Sequence, residues 1–197
     1  MLNQHIKRKV YIDMDGVIAD FFKALENKYN VKHWKELDID KTIKDLKGTD
    51  FFGTIPKFKT SDKLISYINK LTNGEWIILS SPLRYDNDNS SFWKRHWLAK
   101  HNYKPSDAIF TGRKEKYARN RAYDEGNILI DDKPKNIEKW IAKGGIGILY
   151  QANQDSLKEL YNKLFQALKA TEERRKKRKE VDTEEDILLT QTQNNYK

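Results

Sequence analysis

An α/β fold organised around a parallel sheet is the architecture this sequence predicts, and three observations predict it. Short, nearly continuous apolar runs recur along the chain between turn signals, as strands buried on both faces require. The stretches between them carry the spacing of amphipathic helices, and strands alternating with helices imply parallel pairing. Residues able to do chemistry fall just beyond the ends of the apolar runs.

Taken in order, Val10-Tyr11-Ile12 reads as the first strand and ends at Asp13. Trp76-Ile77-Ile78-Leu79 is the second, ending at Ser80, and Ala108-Ile109-Phe110 the third, ending near Thr111. Ile128-Leu129-Ile130 is the fourth, ending at Asp131, and Ile146-Gly147-Ile148-Leu149-Tyr150 the fifth. From Ser61 to Leu71 a helical stripe carries Leu64, Ile65, Ile68 and Leu71, with Ser61 as its N-cap and Gly74 past its end. Ser91 to His101 carries Phe92, Trp93, Trp97 and Leu98, read as core packing. Pro134 to Lys143 opens with proline in the first turn and stops at Gly144-Gly145. Ser156 to Leu168 is apolar at Leu157, Leu160, Tyr161, Leu164, Phe165 and Leu168.

The rhythm breaks after the first strand. About 60 residues precede the second strand, and residues 19–56 hold many aromatics (Phe21, Phe22, Tyr29, Trp34, Phe51, Phe52) without a convincing strand. This segment is expected to form a small helical cap over the sheet edge, with residues 1–18 and 57–170 as the core. Residues 171–197 turn first charged and then polar, and are expected to be a helix that frays.

Composition narrows the function classes. No cysteine occurs, which removes disulfides, thiolate metal sites and cysteine nucleophiles together. No run of about 18 apolar residues is present, and MLNQHIKRKV has no apolar stretch behind its basic residues. A soluble, cytoplasmic protein with no membrane partner is the expectation. The formal net charge of +9 favours anionic partners, namely nucleotides, nucleic acid or phosphorylated metabolites. Its one dense block, Arg174 to Lys179, reads as a solvated helix end before it reads as a nucleic-acid site. Monomer and homodimer both stay open.

In an open parallel sheet the carboxyl ends of the strands share one edge, where ligands bind. Asp13 and Asp15 follow the first strand, Ser80-Ser81-Pro82 the second, Thr111, Arg113, Lys114 and Lys116 the third, and Asp131-Asp132 the fourth. Carboxylates brought together repel one another unless a cation shares the space, and magnesium prefers such hard oxygen donors. A carboxylate can attack phosphorus, and a lysine with hydroxyl donors can neutralise the charge that develops. Asp15 is placed to protonate a leaving oxygen and then activate water. Gly16 allows a tight turn and close approach of a phosphate.

These residues resemble the motifs of the haloacid dehalogenase superfamily. Asp13-Met14-Asp15-Gly16-Val17 is similar to the first motif, Leu79-Ser80-Ser81-Pro82 to the second, the basic cluster to the third and Ile130-Asp131-Asp132 to the fourth. The likeness spans about Val10 to Tyr150. It is nearest to the 5'(3')-deoxyribonucleotidases of bacterial and phage type. Asp15-Gly16-Val17-Ile18-Ala19-Asp20-Phe21, the Phe51-Phe52 pair before Ile55-Pro56, and Trp140 ahead of Gly144-Gly145 carry that finer resemblance.

The resemblance implies a Rossmann-like core with a small cap after the first strand, a Mg2+ cofactor, and phosphomonoester hydrolysis of a small nucleotide. It implies Asp13 as nucleophile and Asp15 as acid/base, with Asp15 adding its backbone carbonyl to the metal. Ser80 and Ser81 would hold the phosphate together with Lys114, for which Lys116 is the rival. Asp131 and Asp132 would hold the metal directly or through water, and Phe22, Phe51 and Phe52 would stack on the base. The alternative substrates are phosphorylated nucleic-acid ends or another small phosphometabolite. Every chemical position is filled by a competent residue, which argues against a silent binding protein.

Overall fold

The computed structural model describes residues 8–120 and 125–169. In chain order these form β1 (Val10–Ile12), α1 (Phe21–Tyr29), a 3-10 turn (Trp34–Glu36), α2 (Ile39–Leu46), α3 (Phe51–Thr54), α4 (Ser61–Thr72), β2 (Trp76–Ser80), α5 (Asn87–Lys100) and β3 (Asp107–Phe110). A second 3-10 turn (Lys114–Tyr117), β4 (Arg119–Asn120), β5 (Glu125–Gly126), β6 (Ile128–Asp131), α6 (Pro134–Ala142) and β7 (Ile146–Leu149) follow. Residues 157–169 are helical.

The main sheet has the order β3-β2-β1-β6-β7, with every neighbouring pair parallel. Its two faces explain why the strands are apolar at every position rather than at alternate ones. Val10, Ile12, Trp76, Ile78, Ile128 and Ile130 share one buried cluster with Leu64, Ile65 and Ile68 of α4, Trp97 and Leu98 of α5, and Leu160 and Leu164 of the last helix. Tyr11, Ile77, Leu79 and Leu129 pack in a second cluster with Ile137 and Trp140 of α6. Covering both faces satisfies the side-chain alternation of each strand without a solvent side.

Boundaries moved where side chains entered the backbone network. Helix α5 starts at Asn87, about a turn earlier than its stripe suggests. There the Ser90 hydroxyl donates to the Asp86 carbonyl at 2.6 Å and accepts from the Leu83 amide at 3.0 Å. Thr60, not Ser61, takes the N-cap position of α4; Ser61 is fully buried and donates to the Ile18 carbonyl at 2.7 Å. The β4–β5 hairpin is an addition to the expected elements, and it occupies the long basic stretch before β6.

Residues 21–54 contain helices and one 3-10 turn between β1 and α4. The two ends of this segment meet, for the Asp20 amide donates to the Pro56 carbonyl at 2.8 Å and Ala19 bridges to Lys57. Helix α3 packs on α5 where Gly53 admits the Trp93 ring; a Cβ on Gly53 would lie 2.6 Å from that ring. No helix among the described residues is long and apolar enough to cross a membrane. The basic block Arg174 to Lys179 and the whole 171–197 tail lie outside the described residues.

Candidate active site

Parallel pairing delivers the ends of β1, β2 and β6 to the same edge, and the polar residues follow from there. The Asp13 amide continues the ladder by donating to the Ile130 carbonyl at 2.9 Å, and the Met14 amide donates to Asp13 Oδ1 at 2.8 Å. The chain then folds back, with the amides of Val17, Ile18 and Ala19 all donating to the Met14 carbonyl. Gly16 makes this turn possible with φ +80. A Cβ on Gly16 would lie 2.5 Å from Asp132 Cγ, so the missing side chain also makes room for the Asp132 carboxylate.

Asp13, Asp131 and Asp132 are buried and offer carboxylate oxygens within 4.8 Å of one another. Two buried lysines enter the same region. Lys114 Nζ lies 2.7 Å from Asp13 Oδ2 and 2.6 Å from Asp131 Oδ2. Lys94 Nζ donates to Asp15 Oδ2 at 2.6 Å, Ser80 Oγ at 2.9 Å and the Ser81 carbonyl at 2.9 Å. Asp131 is fully engaged: the Lys133 amide and Asn136 Nδ2 reach Oδ1 at 2.9 and 3.0 Å, and Lys114 with Asn136 take Oδ2. Asp132 Oδ1 and Asp15 Oδ1, by contrast, are buried with no hydrogen-bond partner among the described residues.

The charges separate accordingly. Burial alone would raise Asp13, but the Lys114 and Lys94 ammonium groups outweigh it and hold the carboxyl below its ordinary range. Asp131 goes the other way, since burial and then the Asp13 charge prevail over the pull of Lys114. Asp132, touched by no ammonium, is pushed up to about 8 by burial and by the Asp13 charge. Burial works against the Lys114 ammonium, yet Asp13 and Asp131 more than offset it and its pKa is raised, so the lysine stays charged.

Above these groups opens a cavity of about 820 Å³ lined by Asp15, Gly16, Ser81 and Asp132 on the core side and by Phe21, Phe22, Trp34 and Phe52 on the other. Asp13, Ser80, Lys114 and Asp131 lie buried and outside this lining. Phe51 also stays outside it, packing edge-on against Phe21 and Phe52. Of the two rival lysines, Lys114 is buried and Lys116 exposed.

Lys94 is the residue that sequence reasoning missed. Its signal was present, because it falls on the stripe of α5 that buries Ser90, Trp97 and Leu98. A lysine at a core position of a helix is rarely free of a partner. Asn136, in the first turn of α6, is the second omission, and it orients Asp131 through both oxygens.

The residues fit a hard divalent cation. Converging carboxylates, one with an unpartnered buried oxygen, are the donor set that such an ion prefers. Burial and the Asp13 charge disfavour a second negative charge on Asp132, and a cation bound beside it would relieve that cost.

No family model and no curated protein sequence matches this chain. Solved structures do. A structure described as "Crystal Structure analysis of a Dehalogenase" superposes with a TM-score of 0.50 at 10% identity, covering 76% of this chain and 87% of that one. A predicted phosphatase from Clostridium acetobutylicum gives a TM-score of 0.50 at 12% identity, covering 84% and 98%. At these identities the likeness is one of fold, a Rossmann-like α/β core with a central parallel sheet.

Proposed function

We propose that this chain is a magnesium-dependent phosphomonoesterase of the 5'(3')-deoxyribonucleotidase kind, working through an aspartyl-phosphate on Asp13. The observation that carries the proposal is the meeting of Asp13, Asp15, Asp132 and Lys94 beneath a cavity walled by aromatic rings. The likeness in fold to a protein described as a phosphatase supports the reaction type.

The chemistry follows from the side chains. Asp13, held as a carboxylate by Lys114 and Lys94, attacks phosphorus while the bond to the leaving oxygen breaks. Asp15 gives its proton to that oxygen, and the nucleoside leaves as an alcohol. Asp15 then takes a proton from water, whose oxygen attacks phosphorus; the bond to Asp13 breaks and inorganic phosphate departs. The Lys94 ammonium serves both stages. It holds Asp15 and Ser80 together, which keeps the acid/base carboxyl next to the hydroxyl that would contact the phosphate. Asp13 and Asp132 would hold magnesium, while Asp131, whose own oxygens are already taken, would keep Lys114 in place beside them. When bound, the ion supplies positive charge to the equatorial phosphate oxygens.

The substrate class rests on the cavity. Its volume suits a mononucleotide, and the Phe22 and Trp34 rings, with centroids 4.8 Å apart and planes tilted by 31°, give it an aromatic wall against which a base could pack. Phosphate release from a panel of deoxynucleoside, nucleoside and sugar monophosphates with magnesium tests this. Deoxynucleotides should be preferred by at least about tenfold in kcat/KM. Equal rates for sugar phosphates would remove the substrate assignment, and higher rates on end-phosphorylated oligonucleotides would transfer it to nucleic-acid ends.

The role of Lys94 gives a separate expectation. Lys94→Met should lower kcat by about 10² to 10³-fold, the usual effect of removing one preorganised charge donor. Steady-state kinetics would contradict the assignment if kcat stayed within about threefold of wild type.

A further inference from the structure

We propose that Lys114 is a resident cation that holds the carboxylate cluster together when no metal is bound, so that the fold forms without metal and the ion is freely exchangeable. The inference rests on the metal site proposed above and concerns what this chain does in the ion's absence.

Three observations carry it. First, Lys114 is 3% exposed and both of its close contacts are carboxylates, at 2.7 and 2.6 Å. A second buried lysine, Lys94, engages Asp15 and Ser80 instead, so the two ammonium groups divide the carboxylates between them. Second, the carboxylates it joins come from different strands, Asp13 after β1 and Asp131 at the end of β6. The ammonium is therefore a cross-link at the sheet edge at the place where like charges would otherwise drive the strand ends apart. Third, Asp131 has no unused acceptor: Lys114, the Lys133 amide and Asn136 occupy both oxygens. A ligand set that is already satisfied in this way needs no ion to complete it. Of the three clustered carboxylates Asp13, Asp131 and Asp132, it is Asp132 that keeps a buried oxygen without a partner among the described residues, open to an exchangeable ion.

Sites in which metal alone neutralises the ligands behave differently, since their binding free energy becomes folding free energy and chelators unfold them. Here Lys114 takes the share of neutralisation that folding requires, and the metal takes the share that chemistry requires. Removing the lysine should convert the first kind of site into the second.

The test compares thermal unfolding of the full chain with chelator and with saturating magnesium, for wild type and Lys114→Met. The metal-free variant should melt about 10 °C below metal-free wild type, because two buried carboxylates lose their shared partner. The shift that magnesium produces should be at least about twice that of wild type. A variant as stable as wild type without metal, or one that gains no more from magnesium, would overturn the role of Lys114. If Lys114→Met does not fold under either condition, the double variant Lys114→Met with Asp131→Asn decides. Removing both members of the pair should restore a folded chain without metal, and failure to do so counts against the proposal. Calorimetry of magnesium binding to wild type separates the two levels of inference. No binding there would overturn the metal reading and this one together, whereas normal binding with an unchanged shift in the variant would overturn this one alone.

Discussion

Asp13→Asn is expected to lower turnover by at least about 10⁴-fold while leaving the protein folded. Asparagine keeps the shape of the side chain, and its amide oxygen can still accept from the Met14 amide, now 2.8 Å from Oδ1. What it loses is the negative charge that attacks phosphorus. Lys114 retains Asp131 as a partner at 2.6 Å, so the buried ammonium is not stranded. Circular dichroism with steady-state kinetics checks both halves of the expectation. A folded variant retaining more than about 1% of wild-type kcat would contradict the nucleophile assignment.

Gly16→Ala is the second large effect, and its origin is steric rather than electronic. The left-handed backbone at φ +80 disfavours any Cβ, at about 1–3 kcal/mol. The added methyl would also overlap the Asp132 carboxylate, lying 2.5 Å from its Cγ. Asp132 must then leave its place opposite Asp13, and turnover should fall by about 10²-fold or more, as a displacement of about 1 Å can do. Gly48→Ala provides the control. It has φ +71 and nothing within 4 Å of the added carbon, so it carries the backbone strain without the collision. Gly16→Ala should lose more stability than Gly48→Ala, and only Gly16→Ala should lose activity and magnesium affinity. Equal retention of activity in both would contradict the contact between Gly16 and Asp132 as a functional one.

The sheet was legible because burial on both faces leaves an unbroken apolar signature at Val10–Ile12, Trp76–Leu79 and Ile128–Ile130. Once the strands are parallel, Asp13, Ser80 and Asp131 must share an edge, so much of the site could be read from position alone. The β4–β5 hairpin could not, because a pairing of two residues has no period. The choice between Lys114 and Lys116 depended on a short 3-10 turn, in which residues two apart point to different sides. Phe51 and Phe52 diverge for a similar reason. Neighbours on a helix lie about 100° apart, so Phe52 lines the cavity and Phe51 does not, although both rings belong to the buried core. Lys94 was hidden because a lysine within a helix is usually solvated, and only its phase with Trp97 and Ser90 marks it as internal.

The carboxyl at position 13 is either the atom that takes the phosphoryl group or it is not. Acid quenching of enzyme mixed with a radiolabelled deoxynucleoside monophosphate, followed by peptide mapping, reads this directly. Label should appear transiently on the peptide containing Asp13 and be missing in Asp13→Asn. Turnover with no labelled protein at any time, or with label on a different peptide, would contradict the account.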